Sequence, residues 1–185
     1  MLDVHMLVSP STPKDAVIRS VSSVWKAIHA ADFLIKLHIL EGTEGHIGKG
    51  RRRGFNSGIY PYVTYVDDDD YVDDDHFRIM GEAMRNSVDA FFTRETVHFP
   101  CGESYVPRRR HCRGSFKRDL VQAFDWAAWP VVPEMAFQKH VESMQELRIS
   151  DAARPTYHWY SDPQSKGKQL AKQYPEIVEK ARRYG

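Results

Sequence analysis

The stretch Tyr62-Val63-Thr64-Tyr65-Val66-Asp67-Asp68-Asp69-Asp70 decides the fold. Its first five residues are β-branched or aromatic, a strand signature, and carboxylates follow with no linker. The first aspartates therefore sit at the C-terminal end of a strand, where open α/β sheets bind ligands. The acidic run continues, and seven of the nine residues from Asp67 to Asp75 are aspartate. Such a cluster repels itself and is costly unless it meets solvent, a metal or cations. Cations lie close upstream, at Lys49 and Arg51 to Arg53. Acidic and basic groups converging on one crevice suit a metal–diphosphate complex, and hard oxygen ligands select Mn²⁺ or Mg²⁺. A calcium-binding hand needs a central Gly and a closing Glu, and Asp67 to Phe77 contains neither.

Upstream, Val4 to Val8 reads as a short strand broken by Ser9-Pro10-Ser11-Thr12-Pro13. Pro13 suits the first turn of a helix, with Thr12 as N-cap and Asp15 near the positive helix end. Val17, Ile18, Val21, Val24, Trp25 and Ile28 recur at helical spacing as one apolar face. Phe33 to Leu40 alternates as a second strand. Residues 42–60, rich in glycine, read as a loop leading to a short helix. Downstream, the pattern predicts a helix over 76–86, a strand over 90–99 and a loop over 100–114. Helices follow over 115–127 and 134–148, then a strand over 156–160 and a Lys-rich helix over 165–183. Strand–helix–strand alternation predicts an α/β fold with parallel strands.

Bulk properties narrow the classes. The 185 residues fit one domain able to bury a core. A hydrophobic content of 42%, a charged content of 28% and a net charge of +1 are ordinary, so no global charge drives the chain to a membrane or a nucleic acid. No apolar run reaches the about 20 residues that a transmembrane helix needs, and no signal peptide is expected. Two cysteines, Cys101 and Cys112, read as free thiols, so a cytoplasmic location is expected.

The order of features around the acidic run resembles that of GT-A-fold glycosyltransferases, the small-loop, inverting, nucleotide-sugar-dependent group. Val8-Ser9-Pro10-Ser11 looks like that family's first strand end, and Leu40-Glu41-Gly42-Thr43 like its second. Gly50-Arg51-Arg52-Arg53-Gly54 stands about sixteen residues before the acidic run, where the family has a small residue, Arg and a later Gly. The strand into Asp67-Asp68-Asp69-Asp70 matches the Asp-x-Asp motif. The likeness covers residues 4–75. It implies a single Rossmann-like GT-A domain with a mostly parallel central sheet flanked by helices, residues 1–99 binding the nucleotide sugar and residues 100–185 the acceptor.

The resemblance implies roles by position. Ser9, Pro10 and Glu41 would line the nucleobase pocket, and Arg51 would contact base or diphosphate. Asp67 would lie near ribose or metal. Asp69 is the first choice for metal ligation, supported by Asp70, whereas Asp73 to Asp75 read as a solvated helix start. Tyr157-His158-Trp159-Tyr160-Ser161-Asp162 looks like the late segment that supplies a further metal or phosphate contact, and His158 and Asp162 both stand as candidates. The general base has three candidates, Asp125, Glu134 and Asp151. Acceptor contacts are expected from Arg108, Arg109, Arg110 and Arg113, with Trp126 and Trp129 either core or an aromatic platform. A UDP-sugar is the favoured donor, and the acceptor stays open, a hydroxylated base in DNA being one that the arginines allow. Two rival readings remain: a nucleotidyltransferase of similar architecture, and a nucleic-acid-binding module built on the arginines.

Overall fold

The computed structural model describes residues 1–107, 113–161 and 166–183. Its strands are β1 (Leu2–Val8), β2 (Ile35–Glu41), β3 (Tyr62–Tyr65), β4 (Tyr71–Val72), β5 (Ala90–His98), β6 (Ser104–Tyr105), β7 (Gly114–Lys117) and β8 (Ile149–Tyr160). They form one sheet in the order β2-β1-β3-β7-β5-β8-β4, with β6 on β5. β1 pairs in parallel with β2 and β3, and β5 with β8. β7 runs antiparallel between β3 and β5. The fold is the expected α/β class.

The helices are α1 (Lys14–His29), α2 (Ile47–Phe55), α3 (His76–Arg85), α4 (Arg118–Ala123), α5 (Pro133–Ser143), α6 (Lys166–Gln173) and α7 (Pro175–Arg183), with a 3₁₀ turn at Trp126–Ala128. Each face of the sheet carries its own core. Leu2, Val4 and Met6 of β1 pack with Val24 and Ala27 of α1 and with Phe77 and Met80 of α3. Val63 and Tyr65 of β3 pack instead with Phe55, Phe116, Trp126 and Phe137. Strands covered on both faces need apolar or fully paired side chains throughout. Asp3, on β1, is 3% exposed and meets this by bonding Arg118, His38 and the Tyr60 amide.

Several local expectations are corrected. The Gly-rich segment is the helix α2, because its glycines serve close packing rather than turning. A Cβ on Gly54 would sit 2.3 Å from the His5 ring, and one on Gly48 2.0 Å from the Trp126 carbonyl oxygen. Residues 114–117 form strand β7, and the helix predicted over 115–127 shrinks to α4 and the 3₁₀ turn. α1 is capped by Pro13, and Thr12 makes no cap bond. The helix also buries Ala16, Ser20, Val24 and Ala27, leaving Ile18 65% and Trp25 47% exposed. Ser20 sets this rotation, since its hydroxyl donates to the Asp67 carbonyl oxygen at 2.8 Å. The last predicted helix is two, α6 and α7, divided before Pro175.

Candidate functional site

The C-terminal ends of β1, β2 and β3 bring Ser9, Glu41 and Asp67 to one edge of the sheet, with α2 beside them. Val8 and Glu41 are register partners. The four aspartates after β3 point to four different environments.

Asp67 lies between two guanidinium groups. Arg51 Nη2 donates to one carboxylate oxygen, and Arg113 Nη1 to the other at 2.7 Å. Burial alone would raise the Asp67 pKa, but Arg51 and Arg113 overcome it and hold the carboxyl well below the usual range. Both arginines are buried, 4% and 7% exposed. Arg51 lies 3.7 Å above the Tyr65 ring and Arg113 4.3 Å from the Tyr157 ring, so each cation has a π-face as well as a carboxylate. Arg51 Nε also donates to Glu134 at 2.6 Å.

Asp68 turns back to the β1 end, where it accepts the Ser9 amide at 2.7 Å. Burial raises its pKa against hydrogen bonds from the Thr12 side chain and the Ser9 amide. Thr12 is thus spent on the acidic run and not on capping α1. Asp70 is fully buried and its oxygens are engaged: Oδ2 accepts from Arg113 at 3.0 Å and from the Tyr157 hydroxyl at 2.8 Å, Oδ1 from the Tyr160 amide at 3.0 Å. It anchors β8 and Arg113 beneath the site. Among the described residues, the Asp69 carboxylate alone in this group is hydrogen-bonded to no other residue and meets only its own amide. Burial first, then the charges of Asp67 and Asp68, push its pKa up to about 6, with Arg113 opposing.

The remaining expectations divide cleanly. Of the base candidates only Glu134 joins the cluster, from the first turn of α5. The residue ahead of this helix, Val132, has φ 46° and ψ 38°. A β-branched residue in left-handed backbone costs on the order of 1–3 kcal/mol, and α5 begins directly after it with Pro133 and the Glu134 that meets Arg51. Asp125 is exposed ahead of the 3₁₀ turn, and Asp151 is exposed on β8 opposite Phe92. Arg113, expected on an acceptor loop, is instead the buried centre of the site. Trp126 and Trp129 are 1% and 3% exposed, packed in the core beside α2, and form no platform. His158 faces away from Tyr157, as neighbours on a strand must. It contacts Asp73 at 2.9 Å and His98 at 3.0 Å and stacks on Tyr71 at 4.2 Å. That removes it from Asp69. Arg108, Arg109, Arg110 and Asp162 lie outside the described residues.

Asp73 and Asp75 are more than a solvated helix start, because both pair with Arg154, at 3.2 Å for Asp73. Tyr157 was missed from sequence. Its hydroxyl accepts from the Asp67 amide at 3.0 Å and from Arg113, and donates to Asp70. Strand alternation was the available signal, since it opposes Tyr157 to His158. Arg113, Glu134 and Tyr157 all come from residues 100–185, so both expected halves build one cluster.

No family model matches the sequence, and no curated protein matches it. Solved structures do. TarS from S. aureus superposes over 97% of this chain and 38% of its own, with 14% identity and a TM-score of 0.64. Its 1–349 form gives a TM-score of 0.66 at 14% identity, over 97% of this chain and 64% of that one. The same form in complex with UDP-GlcNAc gives 0.62 at 12% identity, over 97% and 65%. The chain therefore spans between 38% and 65% of the length of these structures, and the likeness establishes the fold.

Proposed function

We propose that the chain transfers a sugar from a nucleotide-sugar donor, a UDP-sugar, to an acceptor hydroxyl. One observation carries this reading. Asp69 stands without a cationic partner among the described residues, next to an Asp67 gripped by two buried arginines, at the C-terminal ends of parallel strands. TarS, which shares this fold, has been solved with UDP-GlcNAc and with UDP.

Arg51 Nη1 is buried with no hydrogen-bond partner among the described residues, an open donor suited to a diphosphate oxygen. Ser9, Pro10 and Glu41, at the ends of β1 and β2, flank the nucleobase position. The residues also fit a divalent cation. No group of three His, Cys, Asp or Glu side chains converges among the described residues, which rules out an all-protein cage there, but Mg²⁺ commonly takes one or two carboxylates plus substrate phosphates. Asp69 offers such a carboxylate, and the neighbouring charges that raise its pKa are those a cation relieves. Bound there, Mn²⁺ or Mg²⁺ would neutralise charge on the leaving diphosphate.

Glu134 takes the acceptor proton in this reading. Arg51 Nε donates to its carboxylate and so orients it.

Thermal shift with UDP-GlcNAc and Mn²⁺ tests the donor, because a ligand bound only to the native state raises the midpoint by mass action. A shift that requires both, and disappears in Asp69→Asn, is the expected result. No shift with any UDP-sugar and Mn²⁺ would overturn the reading. Glu134→Gln separates the base: binding stays while sugar transfer is lost.

A further inference from the structure

α2 has two faces with opposite fates. Arg51 points inward to Asp67 and Glu134. The outer face carries Lys49, Arg52 and Arg53, with Asn56 one turn on, all exposed. These positions follow i, i+3, i+4 and i+7, so they form one stripe along the helix. The stripe is about 10 Å long at 1.5 Å rise per residue. It floors a groove of about 630 Å³ completed by Ser57 and Ala127.

The lining of this groove holds three cations and no carboxylate. Like charges at i, i+3 and i+4 repel and destabilise a helix. Several exposed cations elsewhere pair locally: Arg78 with Asp75 and Glu82, Lys117 with Asp89, Arg154 with Asp73 and Asp75. Lys49, Arg52 and Arg53 have no such partner among the described residues, and α2 has no acidic residue in its first turn. Arg53 spends one donor on the Glu41 carbonyl oxygen. Asn56 Oδ1 accepts from Gln122 at 3.4 Å, which turns the amide NH₂ outward. Ser57 donates its hydroxyl to the Arg53 carbonyl oxygen at 3.0 Å. Lysine and arginine have no acceptor, so the stripe presents donors. A ligand that repeats negative charge on acceptor oxygens matches this lining.

We infer that the outer face of α2 is a binding site for the phosphodiester backbone of a nucleic-acid strand. Guanidinium forks grip phosphate oxygens in pairs, and the lysine adds a point charge. The stripe lies on the face of α2 opposite Arg51, with Arg53 alone reaching the crevice edge through the Glu41 carbonyl oxygen, and its existence does not depend on the donor reading.

The test is fluorescence anisotropy of a labelled twelve-nucleotide oligothymidylate, titrated with the intact chain at rising salt. Three phosphates contacted on a single strand give a log–log salt slope of about −2. The double variant Lys49→Gln/Arg52→Gln, which spares Arg53 and its bond to Glu41, is expected to bind at least fivefold more weakly with a flatter slope. Both residues are exposed and repel each other, so its Tm should not fall below the parent's. A retained UDP-GlcNAc thermal shift in the variant would show that the donor crevice is untouched. Absent binding at low salt, or equal binding by the double variant, would overturn the inference. Equal binding of an acidic peptide of the same length and charge would overturn the phosphodiester assignment.

Discussion

Asp67 to Asp70 and Asp73 to Asp75 belong to one acidic run, yet the structure treats them as two regions. The first group is gathered at a strand end and engaged from far along the chain: Arg113 just ahead of β7, Tyr157 of β8 and Ser9 just after β1. The second group lies outside the crevice and meets half-exposed cations, Arg154 and Arg78. What separates them is the dielectric around their partners. A buried cation beside a buried carboxylate cannot be replaced by water, while an exposed one can.

The largest effect expected from this difference is on stability. Arg113→Ala leaves buried Asp70 without a cation and Asp67 with Arg51 alone, and removing one partner of a buried pair costs about 3–5 kcal/mol. Urea denaturation measures it, and a loss under 1 kcal/mol would erase the distinction between the regions. Next comes activity. Asp69→Asn should lower sugar transfer about 100-fold or more, the rate equivalent of the several kcal/mol that a metal supplies. Asp74→Asn, exposed in the second group, should leave it unchanged.

Acid stability offers a third contrast, because His76 and Asp69 carry opposite slopes. His76 opens α3 directly after Asp75 and is fully buried, with its pKa lowered to about 3, chiefly by burial. Its folded pKa lies below the unfolded value of about 6.5, so its contribution is complete above that pH and is lost as pH falls toward 3. Asp69, raised to about 6, does the reverse: its contribution is complete below its unfolded pKa near 3.9 and is lost as pH rises through 6. Between pH 6 and 4.5, His76→Gln should therefore make stability depend less on acid, and Asp69→Asn should make it depend more, each by up to about 1.4 kcal/mol per pH unit. Equal slopes in the two variants would contradict the assigned environments. The smallest effect is Arg154→Ala, expected within about 1 kcal/mol because its pairs are half exposed.

Much of the first half was legible because its signals are local. β1, β2, β3, α3 and β5 lie within a few residues of their expected bounds, since alternation and helical periodicity report directly on burial. Asp67 and Asp69 were placed at a strand end for the same reason. The glycines of α2 misled, because glycine marks both turns and close contacts, and only the His5 ring and the Trp126 carbonyl show which applies. β7 was hidden because four residues gain strand character only by pairing with β3 and β5.

By itself the sequence determined the α/β class, the strand that delivers the acidic run and the nearby arginine on α2, all properties of short segments. Only the tertiary structure decided that Arg113 is buried against Asp67, that Glu134 is the base candidate beside Arg51, that Tyr157 and not His158 faces the site, and that Asp70 is an anchor while Asp69 stays open. Those assignments depend on which charges share a low-dielectric interior, and charges separated by as many as 83 positions meet there only once the sheet has closed.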